Sequence, residues 1–240
     1  MAKVALVTGG IRGIGEAISI ALRDAGYIVA ANYSSSDERA REFSERTGIA
    51  IYKFDVSDFN EVAENIASIV ETLGPIDVLV NNAGITRDTT MHKMTPEQWH
   101  AVINTDLGAC FNTCRNVIES MRARKYGRII NIGSLNGQAG EYGQVNYAAA
   151  KSGIHGFNKA LALESAKLGI TVNAIAPGII DTDMLRAVPE NILEKLVAKV
   201  PVGRPGKPEE IARAVVFLAA EEASFITGCT LSINGGQHMY

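Results

Sequence analysis

Short β-branched and aliphatic runs recur along the chain: KVALVTG, YIVAANY, IAIYKFDV, IDVLVNNAG, GRIINIGS, ITVNAIAPG and CTLSING. Most are separated by segments whose apolar residues return at three-and-four spacing, the period of an amphipathic helix. Helices are expected over Glu16 to Ala25, Asp58 to Leu73, Pro96 to Arg124, Gln144 to Leu168 and Pro208 to Ala220. The third is too long to run unbroken, and a break is expected near Asn104 to Gly108. Strands alternating with helices predict a parallel sheet covered on both faces, and seven strands joined by right-handed crossovers make a doubly wound α/β sheet. Such sheets bind ligands beyond the carboxyl ends of their strands, so the loops there are where chemistry is to be sought.

The length, 240 residues, suits one large α/β domain, and no Pro/Ser-rich linker or charge run divides it. At 47% hydrophobic and 20% charged residues, the chain has ample material for a core. A formal net charge of -3 disfavours a nucleic-acid partner bound through a broad basic surface and favours small molecules. MAKVALVTGG turns from a short apolar run straight into glycines, without the length of a signal peptide or a membrane span, so a cytoplasmic protein with no membrane partner is expected. Cys110 and Cys114 lie one helical turn apart with no nearby histidine. No metal site is expected, and all three cysteines read as buried free thiols.

VALVTGGIRGIGEAI is a strand, a glycine turn and a helix start, with Gly9, Gly13 and Gly15 at T-G-x-x-x-G-x-G spacing. Glycines let the backbone approach a pyrophosphate, and the helix N-terminus offers unpaired N–H groups. A plain strand-to-helix turn needs one glycine rather than this many. An acidic residue usually ends the second strand where NAD is bound, to hold the ribose 2′-hydroxyl, and here that place falls on Asn32. Arg12 inside the glycine loop, with Ser34 and Ser35, leans the reading towards NADPH over NADH, although a lone arginine is more often a solvated one.

Tyr147 and Lys151 are four residues apart at a helix start and share a face. A free phenol, with a pKa of about 10, is a poor acid at neutral pH, and a nearby ammonium favours its anion. Tyr147 is therefore a candidate proton donor, and Ser134, ending GRIINIGS, would offer a hydroxyl to a carbonyl while hydride arrives from a nicotinamide. Tyrosine and lysine at this spacing also occur on ordinary amphipathic helices. Their coincidence with the glycine-rich opening and with NNAG at residues 81 to 84 favours catalysis.

On these marks, together with Asp55-Val56, YAAAK, Pro177-Gly178 and Thr182, the chain resembles the short-chain dehydrogenase/reductase family over essentially its whole length. The resemblance implies a Rossmann-like fold in which Ser134 orients the substrate carbonyl, Tyr147 is the acid/base, and Lys151 assists it and holds the nicotinamide ribose. It further implies that Gly9, Ile11, Arg12, Gly13, Ile14 and Gly15 receive the cofactor phosphates, and Asp55 and Val56 the adenine. Asn82, Ala83 and Gly84 would meet the middle of the cofactor, and Pro177, Gly178, Ile180 and Thr182 its nicotinamide side. Asp183 to Val200 would form a mobile lid. One departure lies in NTDLGACFN, where the family usually places a catalytic asparagine and this chain has Asp106. That asparagine acts largely through its main-chain carbonyl, a role an aspartate can keep, while its negative charge would also perturb Lys151 and Tyr147; on the backbone role alone, Asp106→Asn is expected to leave activity within about tenfold, roughly 1.4 kcal/mol of barrier. Asn104 then caps or faces solvent.

NAGITRD at residues 83 to 88 is similar to reductases of 3-oxoacyl chains carried on either coenzyme A or acyl-carrier protein. LNGQAGEYGQVNY and the ending INGGQHMY are more similar to the members that reduce acetoacetyl-CoA. Gln138, Glu141, Tyr142 and Gln144, with Gly178 and Ile179, would line the short acyl pocket; a polar loop entering a helix is the other reading of the first four. The competing substrate, a 3-oxoacyl-carrier protein, would dock on basic residues such as Arg128 and Lys167. The resemblance also implies a homotetramer built through the two long central helices and the C-terminal strand.

Overall fold

The chain runs through seven parallel strands: β1 (Val4–Val7), β2 (Ile28–Tyr33), β3 (Ala50–Lys53), β4 (Ile76–Asn81), β5 (Gly127–Ile132), β6 (Ile170–Pro177) and β7 (Thr230–Ile233). Their spatial order is β3-β2-β1-β4-β5-β6-β7, and each lies within one of the seven apolar runs. The helices are α1 (Gly13–Asp24), α2 (Asp37–Thr47), α3 (Phe59–Leu73), α4 (Pro96–Val102), α5 (Ala109–Arg124), α6 (Asn136–Ala139), α7 (Val145–Ser165), α8 (Asp183–Arg186), α9 (Glu190–Val197) and α10 (Pro208–Ala219). This computed structural model describes residues 2–186 and 188–239. Ala187 of the expected lid and Tyr240 of the INGGQHMY ending lie outside the described residues.

Strand side chains alternate between two cores. Ala5 and Val7 of β1 pack with Ile18 and Leu22 of α1 and Ile211 and Val215 of α10. Val4 and Leu6 pack on the opposite face with Val62 and Ile69 of α3 and Val117 and Met121 of α5. Because both faces are covered, the strands read as continuous apolar runs. Each of the valine, leucine, isoleucine and methionine side chains among these, fully buried, contributes about 1.5–3 kcal/mol against exposure.

α2 lies outside the helices expected from periodicity. Its sequence, DERAREFSERT, buries only Ala40 and Phe43, so two apolar contacts hold a helix that is otherwise solvated. α3 begins where Asp58 accepts from the N–H groups of Asn60 and Glu61, at 2.8 and 3.0 Å, satisfying two of the donors a helix start leaves open. The break expected in the third helix is a change of winding, not an interruption. Ile103–Gly108 forms a π-helical turn between α4 and α5. Cys110 and Cys114 are buried, and burial pushes the Cys110 thiol up to about 12. Cys229 departs from the expected burial and is only partly buried at the approach to β7.

The chain winds outward from β1 to β3, then returns to lay β4 on the other side of β1. The crevice of a doubly wound sheet opens where the winding reverses. Here the loops after β1 and β4 are tied together: Thr8 Oγ1 accepts from the N–H groups of Asn82 (2.9 Å) and Ala83 (3.0 Å), and the Asn82 amide donates to Thr8 O at 2.9 Å.

Candidate active site

The glycine loop is shaped by close approach. Gly9 takes φ +61° and Gly13 φ +52°, both in the left-handed region that favours glycine. A Cβ on Gly15 would stand 2.1 Å from the Gly9 carbonyl oxygen, so no other residue fits there without moving backbone. Thr182 packs against the same loop, its methyl 3.4 Å from where a Gly13 Cβ would stand. The expected phosphate and nicotinamide segments are thus neighbours. Ile11 is buried under the loop, whereas Arg12, the N-cap of α1, is exposed and carries no ion pair among the described residues. It borders a cleft of about 380 Å³ with three other arginines, each already paired: Arg46 with Glu16, Arg39 with Asp183 and Arg186 with Asp181.

Asn32 does not present its amide at the end of β2. It is buried, its Oδ1 accepts from Gly9 N–H at 3.1 Å, and its Nδ2 donates to Phe54 O at 2.9 Å and Tyr33 O at 3.2 Å. It braces the glycine loop from behind, while Ser34 and Ser35 are exposed beyond it. Asp55 is exposed after β3, its carboxylate accepting from Ser57 N–H and Oγ–H at 2.8 Å each, and Val56 is buried beside it.

Tyr147 and Lys151 lie in the first turns of α7, whose start is fixed by Asn146. That buried amide donates to the carbonyls of Arg87 and Gln98, and its oxygen accepts from Tyr147 N–H. Lys151 is 3% exposed. Its ammonium lies 5.5 Å from the Tyr147 ring centroid, donates to Ile132 O at 3.0 Å and meets Asp106 Oδ2 at 3.2 Å. Ser134 follows two residues after Ile132, its hydroxyl accepting from Asn136 N–H. β5, α7 and the π turn therefore bring Ser134, Tyr147, Lys151 and Asp106 to the carboxyl ends of the strands. Asn104 is exposed.

Asp106 is 1% exposed, and its Oδ1 accepts from Ile85 N–H at 2.9 Å. Oδ2 meets Lys151 too obliquely for a hydrogen bond, leaving a close charge contact. Burial raises the Asp106 carboxyl above its ordinary value, against the pull of Lys151 and Ile85. Burial works against the Lys151 charge as well, yet Tyr147, Asp106 and Cys110 together outweigh it and hold the ammonium above its ordinary value. Gly84 completes the enclosure, because a Cβ there would lie 2.7 Å from Asp106 Oδ2 and 3.3 Å from Lys151 Nζ.

The expected acyl-pocket residues do not all converge. Gln144 links the lips of the crevice, donating to Asp88 Oδ2 and accepting from Asn136 Nδ2, each at 2.8 Å. Gln138 reaches Ser232 of β7 and lines a separate cavity of about 330 Å³ with His155, Lys159 and Thr230. Glu141 and Tyr142 are exposed, Tyr142 to 88%. Gly178 N–H donates to Ile233 O, Ile179 N–H donates to Gln237 Oε1, and Ile180 bridges to Gly206. Pro177 ends β6, its carbonyl accepting from Leu135 N–H. Thr8, Asn146 and Gln237 also position this site, and the sequence alone assigns none of them a role. Only Thr8 carries a signal, a hydroxyl at a strand end directly before the glycines.

Arg128 corrects an expectation. It is 3% exposed, and its guanidinium donates to the carbonyls of Gly127, Gly169, Ala220 and Glu221 while lying over the Tyr126 ring. A cation so enclosed is unavailable for docking a carrier protein. Arg124 is likewise engaged, by Asp77 and Ile76 O, whereas Lys167 is exposed. Among the described residues there is no cluster of His, Cys, Asp or Glu suited to a metal, and no helix long and apolar enough to cross a membrane.

A family profile described as enoyl-(acyl carrier protein) reductase matches residues 9–238. Curated relatives span the whole chain. An acetoacetyl-CoA reductase of Shinella zoogloeoides is 61% identical over 238 residues, 99% of each chain. One of Rhizobium meliloti is 59% identical, again over 99% of each. A 3-oxoacyl-[acyl-carrier-protein] reductase of Pseudomonas aeruginosa is 46% identical over 99% of this chain and 98% of its own.

Proposed function

The chain belongs to the short-chain dehydrogenase/reductase family, and from that premise we propose that it is a cytoplasmic, NADPH-dependent reductase of acetoacetyl-CoA that yields (3R)-3-hydroxybutyryl-CoA. The observation that carries the chemistry is the buried Lys151 ammonium beside the Tyr147 ring at the crevice of the sheet. Similarity to the acetoacetyl-CoA reductases and the enclosure of Arg128 favour the coenzyme A ester over the carrier-protein ester.

In this reading Ser134 Oγ–H donates to the substrate carbonyl oxygen, and the Tyr147 hydroxyl delivers a proton to it as the alkoxide forms. Lys151 stabilises the tyrosinate left behind. A nicotinamide cofactor would supply hydride, and the glycine cradle from Gly9 to Gly15, with Asn82 to Gly84 and Pro177 to Thr182, has the shape to hold one, the start of α1 at Gly13 offering helix-terminal N–H groups. Arg12, the unpaired cation at the loop, would take the 2′-phosphate. Residues Asp183 to Val200 act as the lid, held in the present structure by the Arg39–Asp183 and Arg186–Asp181 pairs. The lid closes over bound ligand, so trypsin cleavage within it slows when NADPH and acetoacetyl-CoA are present; unchanged cleavage would remove that role.

The decisive test compares kcat/KM on acetoacetyl-CoA and acetoacetyl-carrier protein, each with NADPH and NADH. The coenzyme A ester with NADPH is expected to lead by at least tenfold in both comparisons. A lead for the carrier protein would move the enzyme to 3-oxoacyl-carrier-protein reduction, and a lead for NADH would refute the role of Arg12.

The protein is also proposed to be a homotetramer. Phe111 of α5 (54% exposed, stacked on Phe59), Leu163 of α7 (85%) and Leu231 of β7 (37%) leave apolar surface on the elements expected to associate. Light scattering at micromolar concentration should give four chain masses, and a monomeric mass would contradict it.

A further inference from the structure

We propose that the Asp106 carboxylate is a positioning residue for Lys151, fixing the place of the ammonium beneath Tyr147 and offsetting its charge there. The inference rests on the reading of Tyr147 as proton donor and departs from the expectation that residue 106 acts through its backbone alone.

Asp106 joins three elements at one point. Its Oδ1 takes the Ile85 N–H from the loop after β4, and its Oδ2 faces Lys151 of α7. The residue itself stands on the π turn. A π turn inserts one residue into the winding and so rotates the succeeding turns by about 100° relative to an unbroken α-helix, a device recurrent at functional sites. This turn packs directly on α7 and aims a carboxylate, 1% exposed, at a lysine that is 3% exposed.

In this packing a carboxylate fits better than its amide. Two groups converge on the side chain, and a carboxylate suits both: one oxygen accepts from the Ile85 N–H, and the other sets a negative charge against the Lys151 ammonium. An asparagine accepting from Ile85 would turn its NH₂ towards the ammonium; flipped, it would leave the Ile85 N–H unpaired. Ionised Asp106 also neutralises much of the field that Lys151 projects onto the phenol. The titratable groups that meet there are Tyr147 and Lys151 on α7, Asp106 on the π turn and Cys110 on α5. α6 and β6 carry none, β5 carries only the enclosed Arg128, and Glu97 and His100 of α4 are exposed. His155, one turn beyond Lys151, is engaged with Thr230. Asp106 and Lys151 therefore form one electrostatically coupled pair beside the Tyr147 ring.

The test is the pH profile of kcat/KM for acetoacetyl-CoA reduction in wild type, Asp106→Asn and Asp106→Ser. With the carboxylate gone the ammonium acts unopposed, and the alkaline limb is expected to move to lower pH by about one unit. A merely structural residue would lower the whole profile and leave the limb in place; that outcome, or a limb moved upward, overturns the proposal. Carboxyl ¹³C NMR of the wild-type chain gives a readout without turnover or an Asp106 variant. One aspartate is expected to titrate above the others and to rise further in Lys151→Met, and a spectrum unchanged by Lys151→Met overturns the proposal equally. If wild type turns over no 3-oxoacyl thioester, the functional reading fails, while the NMR result still decides whether Asp106 and Lys151 are coupled.

Discussion

Tyr147→Phe is expected to lower kcat for acetoacetyl-CoA reduction about 10³-fold while leaving the NADPH dissociation constant within about threefold, because general acid catalysis is worth about 10²–10⁴ and the phenol is the group proposed to supply it. The substitution removes one oxygen and little else. α7 keeps its start, since Asn146 is anchored on Arg87 O and Gln98 O and accepts from the backbone of residue 147, not from its side chain. Lys151 keeps Ile132 O and Asp106 as partners. A fall in kcat without a fall in cofactor affinity therefore isolates the proton transfer. Stopped-flow measurement of NADPH oxidation, with cofactor affinity from fluorescence, separates the two. A loss below tenfold would show that another group, or water, protonates the alkoxide.

That such a test can be posed reflects how the sequence encodes this fold. β1, β4 and β5 are legible because strands covered on both faces become unbroken apolar runs, and Ala5 and Val4 serve opposite cores. α2 is not legible, because Ala40 and Phe43 alone carry its packing and two positions make no period. The π turn announces itself only as a helix too long to be regular. Winding is decided by how Ile103–Gly108 packs against α7, and no local propensity in INTDLG specifies it.

The same division runs through the site. Gly9, Gly13, Gly15, Tyr147 and Lys151 are close in sequence to the elements that place them, and fixed spacing on a strand end or helix start suffices to bring them together. Asn32 shows where spacing fails. Its place at the end of β2 is readable, but successive strand residues point to opposite faces, so a shift of one residue decides between a ribose contact and the observed brace under Gly9. Arg128 shows a second failure. Besides its neighbour Gly127, its acceptor carbonyls come from Gly169, Ala220 and Glu221, three residues in distant segments that only the folded sheet collects. Asp106 stands out in the sequence as a substitution whose charge would perturb Lys151, whereas the geometry of their ion pair depends on the π turn and cannot be read from spacing.

Gly15→Ala should weaken NADPH binding at least a hundredfold, about 2.7 kcal/mol, and lower stability by about 1–3 kcal/mol. The cause is space rather than backbone conformation. The added methyl would stand 2.1 Å from Gly9 O and 2.6 Å from Asn82 Nδ2, and neither neighbour is free to yield. Gly9 is held through its N–H by Asn32, and the Asn82 amide is held by Thr8 O and Gly9 O. Relief requires moving the loop or the start of α1, and those carry the N–H groups on which a pyrophosphate depends. Gly26→Ala supplies the control. Gly26 takes φ +91°, so alanine there is strained, yet nothing lies within 4 Å of the new methyl. It should lose stability while binding NADPH as wild type does. Calorimetric titration of both variants therefore separates the two ways a glycine can be required. Wild-type affinity in Gly15→Ala would mean that the loop relaxes without cost, and that the cradle does not depend on the contact between Gly9 and Gly15.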